Sequence, residues 1–176
     1  MAAALFAREV EGLPEGVDPS SAGLLPGGSA VPREVLEVMV PYSVDLSEHR
    51  SRTVTSDLLA EADLVVGMGR RHVREAVLLA PTAWPRSFTL KELVRRARAV
   101  GARGPDDSMN TWIGALHEGR TRAGLAHHSS VDEVVDPYGG PLSGYREVAA
   151  ELASLTGQLA ASAWPGRSGD ANRVEA

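Results

Sequence analysis

The sequence contains no cysteine among its 176 residues. Disulfides, zinc-thiolate sites and a cysteine nucleophile are therefore excluded for the chain as it stands. Lysine is nearly absent as well: Lys91 stands alone, and arginine supplies the rest of the Lys and Arg total. Aromatic residues make up 5% of the chain, and 18 Lys and Arg face 23 Asp and Glu, for a net charge of -5. That balance argues against a nucleic-acid partner held by bulk positive charge, so an anionic ligand needs a local trap. No apolar run approaches membrane-spanning length, and no basic segment with an apolar run behind it marks a leader. The expectation is a cytoplasmic protein without a membrane partner.

What is present suffices for one core. With 43% hydrophobic residues, residues 1–165 read as a single domain, and residues 166–176, small and polar, as a mobile tail. Ala2, Leu5, Phe6 and Val10 recur at helical spacing, yet Met1 stands where a capping Ser, Thr, Asp or Asn is usual. Residues 17–22 allow a short strand, and a Gly/Pro/Ser loop leads to a helix in which Val31, Val35, Leu36 and Met39 share a face. Leu64 to Met68 is apolar without alternation, as in a parallel strand covered on both sides. A helix with Val73, Ala76, Val77 and Ala80 follows it. Ser87 and Phe88 suggest a third strand, and Thr89 with Glu92 forms a capping box before a helix through Leu90, Leu93, Val94 and Ala97. Trp112, Ala115 and Leu116 suggest a modest helix, and Val148, Leu152, Leu155 and Leu159 a long one. Strands alternating with helices predict an open α/β sheet with helices on both faces, which binds ligands at the carboxyl ends of its strands.

Several clusters could carry chemistry. Asp136-Pro137-Tyr138-Gly139-Gly140-Pro141 is either a tight turn or a stiff loop presenting Asp136 as a general acid beside an aromatic wall, Tyr138. His49 lies among Arg50 and Arg52, in a solvated capping loop or an anion pocket. His127-His128 lacks an acidic neighbour at ligand spacing, so no metal is expected. Arg70-Arg71-His72 begins a helix, where positive charge is unfavourable unless an anion sits nearby.

Together these segments resemble the low-molecular-weight protein tyrosine phosphatases. The matching pieces are Met1-Ala2-Ala3-Ala4-Leu5-Phe6, Ser21-Ala22-Gly23, the Asp45-Leu46-Ser47-Glu48-His49-Arg50-Ser51-Arg52 run, Ala62-Asp63-Leu64-Val65-Val66-Gly67-Met68 and Asp136-Pro137-Tyr138, in the family's order. Residues 101–130 fall outside the likeness, and Gly139 stands where a second aromatic is frequent. The resemblance implies a three-layer open parallel sheet with helices on both faces. It also implies phosphomonoester hydrolysis through a cysteinyl-phosphate, with no cofactor. Asp136 would be the general acid and base, Tyr138 would flank the substrate, and Ser21 and His49 would brace the phosphate loop. The substrate implied is a phosphotyrosine-bearing protein or a small aryl phosphate.

In that family a buried strand and a C-x-G-N-x-C-R-S-P loop stand immediately before the first helix. Their absence here predicts an incomplete and inactive chain lacking its first strand, from a start assigned too late or a degraded gene copy. A non-catalytic remnant or binding module on the same fold is the alternative. Arsenate reduction is an alternative chemistry that also needs cysteines.

Overall fold

A computed structural model describes residues 1–126 and 129–166. His127, His128 and all of the expected tail except Gly166 lie outside the described residues. The element order is α1 (Ala2–Val10), α2 (Arg33–Met39), α3 (Ser56–Glu61), β1 (Val65–Gly67), α4 (Arg70–Leu79), β2 (Ser87–Thr89), α5 (Leu90–Val100), α6 (Met109–His117) and α7 (Leu142–Ala163), joined by loops and short 3-10 turns.

β1 and β2 pair in parallel, with Val66 opposite Phe88. Side chains alternate across the sheet, and the two faces feed different cores. Leu64, Val66, Met68 and Phe88 join a large cluster with Leu5, Leu93, Trp112 and Leu152, drawn from α1, α5, α6 and α7. Val65 points the other way, to a small cluster of Leu59, Ala76, Ala80 and Ala83 under α3 and α4. A further small cluster of Val73, Val77, Trp84 and Leu125 continues the α4 side. Helices therefore cover both faces of the sheet, as expected from the alternating pattern.

The strand expected over residues 17–22 does not form. That stretch has no ladder partner, and the nearest strand-like contact is an isolated parallel bridge from Gly23 to Thr53. Val17 has β character, but Pro19 has no N–H to donate to a ladder, and among the described residues no strand runs beside this stretch. Other expectations shift in detail. Pro32 sits at the N-cap of α2, which starts at Arg33 and so leaves Val31 outside the helix. The buried face of α6 is Trp112, Ile113 and Leu116, while Ala115 is exposed.

The start of α5 shows half of the expected capping box. The Thr89 hydroxyl accepts from the Glu92 N–H at 3.1 Å. The Glu92 carboxylate turns instead to Arg120, 2.8 Å away, because an ion pair with a guanidinium outweighs a neutral cap bond. No side chain caps α1. Among the described residues, no helix is long and apolar enough to cross a membrane, and no group of three or more His, Asp or Glu could hold a metal ion.

Candidate functional site

The turn carrying Asp136 forms at the carboxyl end of β1, where the chain leading into it is stitched to the strand. The Val134 N–H donates to the Met68 carbonyl at 2.8 Å. Asp136 then makes an Asx turn: its Oδ1 accepts from the Tyr138 N–H at 3.1 Å, so the carboxylate organises the turn that presents it. Gly139, at φ 76, and the Gly140 N–H, donating to the Pro137 carbonyl at 2.9 Å, complete the reversal. The buried Tyr145 of α7 fastens the loop from below, its hydroxyl accepting from the Gly139 N–H at 3.2 Å. Asp136 is exposed, and the Tyr138 ring is 77% exposed. The tight turn forms with the Asp136 side chain inside it.

Two other sequence motifs meet each other. The Gly23 N–H donates to the Arg52 carbonyl at 2.9 Å, the Val54 N–H to the Gly23 carbonyl at 2.9 Å, and the Ser51 N–H to the Ser29 carbonyl at 2.9 Å. Arg52 Nε donates to the Ser21 carbonyl at 2.7 Å. Gly27 is required for this approach, since a Cβ there would lie 2.9 Å from both Arg52 Cα and the Ser51 carbonyl oxygen. Ser21 is exposed and His49 half-buried, the His49 N–H donating to the Leu46 carbonyl at 3.1 Å. Among the described residues, no hydrogen bond or ion pair joins Asp136 to Ser21 or His49.

Sequence reading missed a third cluster. Arg70 is half-buried: its Nη2 meets Asp132 Oδ2 at 2.7 Å, and its Nη1 donates to the Gly124 carbonyl at 2.8 Å. The anion that relieves the start of α4 is the Glu133 carboxylate, which accepts from the Arg70 N–H at 3.0 Å. Asp132 is itself buried. Burial raises its carboxyl, but Arg70 and Arg95 outweigh that and hold it below the usual carboxylate range.

Arg120 is buried between the rings of Trp84 and Phe88, its guanidinium carbon 4.2 and 3.9 Å from their centroids. It donates to Glu92 at 2.8 Å and to the Ser87 carbonyl at 2.6 Å. Arg95 and Arg96 are neighbours in sequence, but only the fold brings positions 70 and 120 to the same cleft.

A family model for the low molecular weight phosphotyrosine protein phosphatases matches residues 1–110. A probable low molecular weight protein-tyrosine-phosphatase EpsP of Ralstonia solanacearum is 36% identical over 93 residues, 53% of this chain and 62% of the relative. The chain spans a similar 62% of its Ralstonia nicotianae counterpart. The protein-arginine-phosphatase of Bacillus subtilis is 30% identical over 164 residues, 91% of this chain and 85% of that protein. Among solved structures, a low molecular weight protein tyrosine phosphatase from T. tengcongensis superposes with a TM-score of 0.63 at 28% identity, covering 90% of this chain and 86% of that one. The parallel strands flanked by helices, the loop at the end of β1 and these likenesses agree: the chain belongs to the low molecular weight phosphotyrosine protein phosphatase family.

Proposed function

We propose that this protein presents the acid side of a phosphomonoesterase site. Asp136 is its general acid and base, Tyr138 the wall against the phosphorylated side chain, and Ser21 and His49 the braces of a phosphate-holding loop. The observation that carries this reading is the position of Asp136, exposed on a turn hydrogen-bonded to the end of β1. The substrate class is a phosphotyrosine-bearing protein or a small aryl phosphate, and the place of action is the cytoplasm. The reaction attacks phosphorus with a thiolate, and the 176 residues hold no cysteine. By themselves they therefore bind without turnover.

The test has two stages. The 176-residue protein, assayed with para-nitrophenyl phosphate and phosphotyrosine peptides, should release no phosphate above the blank, and sustained turnover would overturn the non-catalytic reading. A fusion that places a buried strand and a C-x-G-N-x-C-R-S-P loop of the family's form ahead of Met1 should then hydrolyse both substrates. In that fusion Asp136→Asn should slow phosphates with poor leaving groups by about 10²-fold or more and activated aryl phosphates far less. Equal slowing of both would remove Asp136 from the acid role.

A second reading concerns the substrate. The Bacillus relative, named for protein-arginine phosphatase activity, matches 91% of this chain, against 53% for the Ralstonia protein. Phosphoarginine is therefore the competing substrate, and the same fusion assayed on phosphoarginine and phosphotyrosine peptides ranks the two.

A further inference from the structure

Four arginines converge on a cleft of about 370 Å³ beside α4 and α5. Arg70, Arg95, Arg96 and Arg120 line it together with two carboxylates, Glu92 and Asp132. Each carboxylate is shared by two guanidiniums. Asp132 lies 2.7 Å from Arg70 and 2.8 Å from Arg95. Glu92 lies 2.8 Å from Arg120 and 3.4 Å from Arg96. Guanidiniums outnumber carboxylates in the lining, with the Glu133 carboxylate beside them at the start of α4, in a chain whose total is -5.

The arginines differ in how far they are committed. Arg120 is enclosed by rings, Glu92 and the Ser87 carbonyl. Arg70 is held by Asp132 and Gly124. Arg96 Nη1 donates to the Leu116 and Glu118 carbonyls. Arg95 is 51% exposed and has one ion-pair contact, with Asp132 Oδ1. Arg95 thus keeps donors for an anion at the mouth of the cleft, while Trp84, Ala99 and Leu125 supply apolar wall beyond it.

We propose that this cleft binds a phosphate dianion, free or as the end of a small organic monoester, with Arg95 as the principal cation and Arg70 and Arg96 beside it. The planar guanidinium fork suits paired phosphate oxygens. The site is independent of the thiolate chemistry proposed above, so binding rather than hydrolysis reads it out.

The experiment titrates the 176-residue protein with inorganic phosphate and with phenyl phosphate at pH 7.5, against sodium chloride of matched ionic strength. Calorimetry and ¹H–¹⁵N NMR provide the readouts. Phosphate should bind saturably and shift the Arg95 side-chain and Gly124 amide resonances, which chloride should leave in place. Arg95→Gln should weaken binding at least tenfold. Ala99→Glu, which sets a carboxylate one helical turn from Arg95, should do so as well by occupying that guanidinium. Tighter binding of phenyl phosphate supports a monoester ligand, and tighter binding of inorganic phosphate supports the free anion. Equal affinity in the parent protein and both variants, or equal responses to phosphate and chloride, would overturn the assignment.

Discussion

Gly69 has no room for a side chain because the Glu133 carboxylate occupies the place a Cβ would take. The same carboxylate accepts from the Arg70 N–H and so caps α4. Gly69→Ala should push Glu133 off the helix and cost about 0.5–2 kcal/mol, the usual worth of an N-cap. Urea denaturation checks this: Glu133→Ala should lose a similar amount, and the double variant little more than either single one. His117 offers a second residue-level expectation. Its Nδ1 lies 3.0 Å from Arg120 Nη1, which can only donate, so Nδ1 accepts and the ring is neutral. Burial first, then the charges of Arg120 and Arg96, lower its pKa from the ordinary value near 6.5, with Glu92 pulling the other way. Below about pH 6.5 the unfolded chain takes up the proton more readily than the folded one, so stability should fall as pH drops from 7 to 5. His117→Asn keeps an acceptor without titrating and should show a smaller fall in melting temperature over that interval. Asp132 acts in a lower window, because its depressed pKa gives stability that is lost only as pH falls below about 4. Identical pH profiles for parent and His117→Asn would remove the histidine from this account.

At the scale of elements, α1 owes its place to packing rather than to its own ends. No side chain caps it, and it holds by setting Leu5, buried in the main cluster, against the long helix α7. Leu5→Ala should therefore destabilise the protein by about 2–5 kcal/mol, as expected for a leucine removed from a core. Guanidinium denaturation should show an earlier midpoint with an unchanged slope. The helices were readable from sequence because a buried stripe repeats with the helix period whatever it packs against: Val73, Ala76 and Val77 in α4, and Leu93, Val94 and Ala97 in α5, are buried as their spacing requires. The Leu64 to Met68 strand was readable from its unbroken apolar run. Residues 17–22 misled because strand identity is settled by a partner elsewhere in the chain, which no local pattern records. The half-used capping box misled for the same reason, Glu92 having a better partner 28 residues away. Of the candidate site, the Asp136 turn was legible through its Asx-Pro-Gly chemistry. The arginine cleft was not, since its members are brought together by tertiary packing alone.

For the whole molecule, the division of the core ranks its parts by stability. The sheet has two described strands, and they are unequal: Ser87, Phe88 and Thr89 are all fully buried, while Val65 and Val66 remain half-exposed. On one face, α1, α5, α6 and α7 share a continuous cluster that includes Phe88, Leu90, Leu93, Leu116 and Leu152. On the other, α3 and α4 rest on two small clusters, one of them made largely of alanines, and Leu78 and Leu79 of α4 point to solvent. Burial of apolar side chains contributes roughly 1.5–3 kcal/mol for each large one and much less for alanine. The α4 side therefore has less to lose on opening than the α7 side. Amide hydrogens of α3 and α4 should exchange through a partial opening well below the global unfolding free energy, while those of β2, α5 and the middle of α7 exchange only with global unfolding. Native-state hydrogen exchange at increasing urea separates the two classes, since partial openings depend weakly on denaturant and global ones strongly. Ala76→Leu, overfilling the small cluster, should lower protection in α4 while leaving α7 amides nearly unchanged. Protection in α4 equal to that in α7, with the same urea dependence, would mean that the two faces unfold as one unit and that the small clusters carry more of the stability than their side chains indicate.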